Sequence, residues 1–266
     1  MTRRERQVQL KTREEIAIMR EAGRIVAKTH AAMREVVRPG VTTAELDRIA
    51  EQVIRDHGAI PAFLNYPKHE SPNYPASINA SINNELVHGI PSGSRFLKEG
   101  DIISLDVGAI YQGFVGDAAF TMGVGEIPKA VQRLLDVTEH ALYVGIEASV
   151  LPNETKDVAL AVMRYVQGQG YSVAREYTGH GVGRNMHEEP QVPNWWPRGS
   201  RQRGWTSYKL QPGMTYAIEP MVIAGRPDLE ELDDKWTVVT RDKSLCAHFE
   251  HTIAITDGKP EILTLV

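Results

Sequence analysis

The chain has 266 residues, 42% hydrophobic and 24% charged, with a net charge of −4, which suits one large soluble domain or two closely joined ones. That balance argues against a nucleic-acid partner, and the cluster Arg3, Arg4 and Arg6 reads as a solvated tail. No apolar run reaches the length of a membrane helix, residues 1–10 are too polar for a signal peptide, and the lone Cys246 rules out an intrachain disulfide or a multi-cysteine zinc site, so the chain reads as cytoplasmic.

After a leader of residues 1–10, Ile16, Ile18, Met19, Ile25, Val26, Met33 and Val37 recur at mostly helical spacing, and Thr12 with Glu15 has the form of a capping box. These predict a long amphipathic helix from Thr12 to Val37. Pro39-Gly40 ends it, and Leu46, Ile49, Ala50, Val53 and Ile54 predict a second helix from Thr43 to near Gly58. The plan returns at Val131–Ala148 and Thr155–Gln167, with Pro152 at the elbow. It predicts a single domain over 11–266 made of two related halves, about 11–125 and 126–266; chance recurrence of helix pairs is the alternative.

Phe63-Leu64-Asn65-Tyr66-Pro67 and then Val87-His88-Gly89-Ile90-Pro91 follow the first helical pair, and Gly89 and Pro91 place His88 on a loop. Next, Ile103, Leu105, Val107 and Ala109 alternate with Ile102, Ser104, Asp106 and Gly108, the period of a strand with one apolar face. A turn at Tyr111-Gln112 closed by Gly113 predicts a hairpin in which Asp106 and Asp117 face each other directly across the ladder. Two carboxylates so close require a shared proton or a cation, unless the register separates them on a solvated hairpin.

Glycines at 179, 181 and 183 exclude a helix around His180, and His187-Glu188-Glu189-Pro190 follows. No Walker lysine accompanies them, so the two histidines read as ligand or catalytic groups. Glu219 closes the strand-like Met214–Ile218, and Glu250 lies within the apolar Leu245–Ile253, where an unpaired charge is costly. Asp106, Asp117, His180, Glu219 and Glu250 form an oxygen-rich set suited to hard or borderline divalent ions. Four carboxylates nearly neutralise two dications, and a two-metal site suits hydrolysis.

These motifs, together with Ile218-Glu219-Pro220-Met221 and Phe249-Glu250-His251-Thr252, resemble type I methionine aminopeptidases over nearly the whole chain. The resemblance implies an α/β (α+β) pita-bread fold, with antiparallel sheets flanked by helices and halves related by a pseudo-twofold axis. It implies removal of N-terminal methionine before a small second residue by a metal-bridging hydroxide, in a cytoplasmic monomer acting on nascent polypeptides at the ribosome. The five residues named above become ligands of two divalent ions, drawn from cobalt, manganese, iron(II), zinc or nickel, with Asp117 and Glu250 bridging. His180 and Glu219 then complete one ion, and Asp106 the other. Glu219 is the proton carrier, His187 stabilises the oxyanion and His88 contacts the scissile amide. Phe63, Tyr66 and Trp236 surround the methionine side chain.

Several positions depart from the pattern of that family. Residues 68–75 read as an insertion beside the pocket, Asn79 falls where a small residue or cysteine is frequent, and His248 where glutamine is common. Asn194–Leu210, an enlarged loop with Trp195, Trp196 and Trp205, reads as an ordinary packed loop, with a lid over the cleft or a cover for a partner surface as the alternatives. Prolidase-type and type II relatives use similar ligands, but the former carry a further N-terminal domain and the latter an insertion where residues 220–249 lie here. A metal-free binding protein on the same fold is the alternative from another class.

Overall fold

In the computed structural model, which describes residues 7–69, 71–197 and 205–266, the predicted capping box opens the first helix, α1 (Arg13–Val36). Thr12 Oγ1 accepts from Glu15 N at 3.2 Å, and Glu15 Oε2 accepts from Thr12 N at 3.0 Å. The second helix, α2 (Thr43–Asp56), is capped by Thr42. The later pair is α3 (Lys129–Ala148), which starts before the expected Val131, and α4 (Thr155–Gly168). Arg3, Arg4 and Arg6 lie outside the described residues.

The hairpin forms, with a turn different from the expected one. Strands Ile102–Tyr111 and Phe114–Gly123 pair with Tyr111 opposite Phe114, so the turn is Gln112-Gly113 rather than Tyr111-Gln112. Both central residues have positive φ, 48° and 78°, as the twist of a two-residue hairpin demands, and glycine eases the second. Asp106 therefore faces Ala119, and Asp117 faces Gly108. The aspartates are diagonal neighbours, not direct partners. Shifting a hairpin turn by one residue moves each cross-strand partner by two, which conserves parity, so both carboxylates still share a face. The expectation of a single apolar face also fails, because most of both strands is buried on both sides. One side meets helices and the other meets the second half of the chain.

On its other edge Ile102–Tyr111 pairs with Ile78–Ile82, which sets Asn79 opposite Asp106. α1 crosses Phe114–Gly123 so closely that a Cβ on Gly116 would lie 2.6 Å from Gly23 N. This is backbone against backbone, and only glycine allows it.

In the second half a five-stranded antiparallel sheet runs in the order Glu261–Ile262, His251–Ala254, Thr215–Ile218, Gly179–Gly181, Glu188–Val192. A three-stranded sheet joins Cys246–His248, Met221–Ile223 and Ser172–Val173. The apolar stretch Leu245–Ile253 forms two strands broken at Phe249-Glu250, and its neighbour is broken at Glu219-Pro220. His251 faces Ile218 and Met221 faces His248, so one register spans both breaks and sets Glu219 against Glu250. The chain hops between sheets there, which frees two side chains from the apolar layers.

The halves are stitched at this point. Glu250 N donates to Ala119 O at 2.9 Å, and Thr252 Oγ1 donates to Asp117 O at 2.7 Å. Each helical pair packs on the outer face of its own sheets, with Val26, Leu46 and Ile54 in the first and Leu134, Leu142, Val158 and Val162 in the second fully or almost fully buried. At about 1.5–3 kcal/mol per fully buried large aliphatic side chain, this helical cover contributes substantially to the free energy that holds the carboxylates in place.

Candidate metal centre and cleft

Four acids converge where the halves meet. Asp106 and Asp117 come from the first hairpin, and Glu219 and Glu250 from the paired breaks of the second half. Asp117 and Glu250 are 3% and 2% exposed, far less than such residues ordinarily are. His180 projects from Gly179–Gly181, whose glycines admit the neighbouring backbone: a Cβ on Gly179 would lie 2.4 Å from Ala217 O. Its Nδ1 lies 3.1 Å from Gly181 O, while Nε2 lies 3.4 Å from Glu219 Oε1 and 3.8 Å from Asp117 Oδ2. The backbone contact orients the ring, and the opposite nitrogen faces the acids.

Burial pushes the acids up. Asp106 rises to about 7 although the hydrogen bond from Asn79 pulls it back, and Asp117, Glu219 and Glu250 rise well above the carboxylate range, with mutual repulsion adding to desolvation. Burial also pushes His180 and His248 down to about 3, keeping both imidazoles neutral. Asp106 Oδ1, Asp117 Oδ1, Glu250 Oε1 and His248 Nε2 are buried without a hydrogen-bond partner among the described residues. Orphaned oxygens of this kind are costly in a protein interior and natural as ligands. Asp117, His180 and Glu250 each offer one ligand atom, all within 4.8 Å of one another. The donor set is oxygen with neutral imidazole, which fits divalent ions.

Every site residue expected from the sequence lines one cleft of about 380 Å³: the four acids with His180, then His88, His187, Phe63, Tyr66 and Trp236. His88, at φ 60° just after the strand Glu85–Val87, meets Trp236 edge-on at 6.1 Å between ring centroids. Its pKa is pushed down to about 4 by burial and by His187 and Lys68. His187 stacks obliquely on His180 at 4.2 Å.

Other lining residues were not expected to belong to the site. Tyr74, in the apparent insertion, is almost fully buried and meets Trp236 at 5.1 Å, while Trp236 Nε1 donates to Pro72 O at 2.9 Å. The insertion therefore builds the pocket wall. Lys68 bridges to Glu231 at 2.5 Å on the rim. Asn79 and His248, noticed in the sequence only as departures, both enter the site: Asn79 Nδ2 donates to Asp106 Oδ2, and His248 Nε2 lies 3.8 Å from both Glu219 Oε2 and Glu250 Oε2. Parity places residue 248 on the face of residue 250, and that signal was available.

Among its described residues, the tryptophan-bearing loop does not line the cleft. Trp195 and Trp196 both pack on Trp205, Lys156 of α4 lies over Trp196, and Asn194 Nδ2 donates to the backbone carbonyl of Glu219 at 2.9 Å. These described residues of the loop pack as a support beneath the strand break at Glu219; residues 198–204 lie outside the described residues.

Residues 17–257 match the model of metallopeptidase family M24. Methionine aminopeptidase 1 of Bacillus subtilis strain 168 is 49% identical over 256 residues, covering 96% of this chain and 98% of that protein. Among solved structures, methionine aminopeptidase from Rickettsia prowazekii superimposes with a TM-score of 0.91 at 39% identity, over 97% of this chain and all of the other. Prolidase from Pyrococcus furiosus shares the fold at a TM-score of 0.76 and 23% identity, with 97% of this chain matching 65% of that one. The pita-bread architecture is common to these proteins.

Proposed function

The chain belongs to metallopeptidase family M24, and from that premise we propose that it is a methionine aminopeptidase that removes the N-terminal methionine of polypeptides with a small second residue. The observation that carries the reading is the juxtaposition of orphaned buried carboxylates with an aromatic-walled pocket in one cleft. The acids suit divalent ions, and the aromatic walls suit a thioether, whose sulfur packs favourably against rings.

Asp106, Asp117, His180, Glu219 and Glu250 would hold two divalent ions. Bound there, such ions supply an activated water at neutral pH and polarise a carbonyl. The protein's own groups do the rest. Glu219, opposite Glu250 and beside His180, takes the proton of the attacking water and returns it to the departing amine. His187 donates to the oxygen that gains charge, and His88 contacts the scissile amide. Phe63, Tyr66 and Trp236, joined by Tyr74, enclose the methionine side chain.

We propose further that the substrate is the N-terminus of a nascent polypeptide at the ribosome in the cytoplasm, and that the working unit is a monomer. We also read 11–125 and 126–266 as related halves of one domain, a reading supported by the helical pair that each contributes. Among the described residues no helix is long and apolar enough to cross a membrane.

The test is to strip the protein with chelator, restore manganese, iron(II) or cobalt, and follow peptides beginning Met-Gly, Met-Lys, Ala-Gly and Gly-Pro by mass spectrometry. Methionine should leave Met-Gly alone, and Asp106→Ala or Glu219→Ala should abolish the loss. Cleavage before proline would move the protein to the prolidase activity. No cleavage with any metal would leave a binding protein.

A further inference from the structure

Tyr66 has a contact that enclosing a methionine side chain does not use. Its hydroxyl lies 2.6 Å from His187 Nδ1, and the two rings meet edge-on at 5.5 Å between centroids. The partners arrive from opposite halves of the chain, and each is anchored by its own segment. Tyr66 sits in a backbone-bonded turn: Tyr66 N donates to Phe63 O at 2.8 Å, Asn65 N to Tyr74 O at 2.8 Å, and Tyr74 N to Tyr66 O at 2.9 Å. His187 is followed by Glu188, whose carboxylate accepts from Lys11 Nζ at 2.6 Å and from Asn185 N at 3.1 Å. Gly183 leaves the room for that buried pair, since a Cβ there would lie 2.4 Å from Lys11 Cε.

A neutral imidazole carries one proton, and the partner of one nitrogen decides which nitrogen holds it. A phenol at neutral pH has a proton to donate, and among the described residues His187 Nδ1 is the acceptor that Tyr66 finds. Donation to Nδ1 leaves Nε2 with the ring proton.

We propose that Tyr66 is a positioning residue for His187: its hydroxyl donates to Nδ1, locks the tautomer with the proton on Nε2, and so makes His187 a hydrogen-bond donor toward the reacting carbonyl. The inference deepens the proposed function and rests on the donor role given there to His187. Tyr66 thereby has two separable parts, a ring that walls the pocket and an oxygen that sets a tautomer.

Tyr66→Phe separates them, because it keeps the ring and deletes the oxygen. On a Met-Gly peptide with manganese restored, kcat should fall about tenfold or more with KM within about twofold, the pattern of an interaction felt mainly in the transition state. In a His187→Ala background the same change should have no further effect. Nitrogen-15 spectra of histidine-labelled, metal-free protein should show His187 with its proton on Nε2, and Tyr66→Phe should convert that to a mixture of tautomers. A raised KM with unchanged kcat, or a wild-type His187 protonated on Nδ1, would overturn the proposal. If the wild-type protein cleaves no methionine peptide, the proposed function fails instead, and the spectra still decide the tautomer.

Discussion

Asn79 Nδ2 donates a 2.7 Å hydrogen bond to Asp106 Oδ2, directly across the ladder from it. The bond engages one carboxylate oxygen and leaves the other, Oδ1, buried and without a partner. Outer hydrogen bonds of this kind orient metal ligands, and losing one typically weakens an ion by about 10–100-fold. Asn79→Ala should weaken manganese binding at Asp106 by that order in calorimetric titration of stripped protein. An unchanged isotherm would mean that the strand alone holds Asp106.

The stripped protein should be stabilised by neutralising Asp106, one of the proposed ligands. Burial raises Asp106 to about 7 against an ordinary 3.8, so folding favours its protonated form. That contribution is fully present below about pH 4 and is lost as pH rises through about 7, at up to about 1.4 kcal/mol per pH unit. Asp106→Asn escapes the loss. In chelator, the stability of Asp106→Asn relative to wild type should climb between pH 4 and 7 in urea titrations. With manganese present the order should reverse, because the variant lacks a proposed ligand.

His30 should make the opposite contribution. Burial first, then the charges of Arg34 and His251, push it down to about 3, and its ring sits edge-on to Phe120 at 4.7 Å with Nε2 unpartnered among the described residues. The unfolded chain takes up the proton near pH 6.5 while the folded one resists, so stability is full above that value and falls as pH drops toward 3. The slope is at most about 1.4 kcal/mol per pH unit. Replacing His30 with Gln should flatten the fall in stability between pH 6 and 4 by one proton, as measured by urea unfolding at each pH.

Gly116→Ala should be severe for its size. The added Cβ would lie 2.6 Å from Gly23 N and 2.7 Å from Ala22 C, both backbone atoms of α1, and no side-chain rotation relieves that. Overpacking costs about 1–3 kcal/mol, and the upper end is expected here. That corresponds to a melting temperature lower by roughly 6–12 °C in a domain of this size. Activity should fall with it, because the displaced strand carries Asp117. A variant that melts within about a degree of wild type would show that α1 can shift freely.

Local periodicity carried much of the structure. The alternation over Ile102–Ala109 specifies a strand, and parity then commits Asp106 and Asp117 to one face whichever residues make the turn. Thr12 with Glu15, and Pro39-Gly40, mark the limits of α1 through hydrogen bonds and φ constraints that act within a few residues. The departures at Asn79 and His248 were visible as residue types, although their partners were not.

Tertiary structure decided the rest, because it depends on which distant segments meet. The twist shared by two paired strands selects Gln112-Gly113 as the turn, at the cost of a positive φ at Gln112 that no local preference favours. Glu219 faces Glu250 because two breaks fall at the same register of neighbouring strands. Tyr66 reaches His187 across 121 residues, and Asp117 is tied to Thr252 across 135. Sequence patterns encode the energetics of neighbours along the chain, so they could supply the candidate ligands and their faces. The distances between those ligands follow from helices and sheets packing around one shared core.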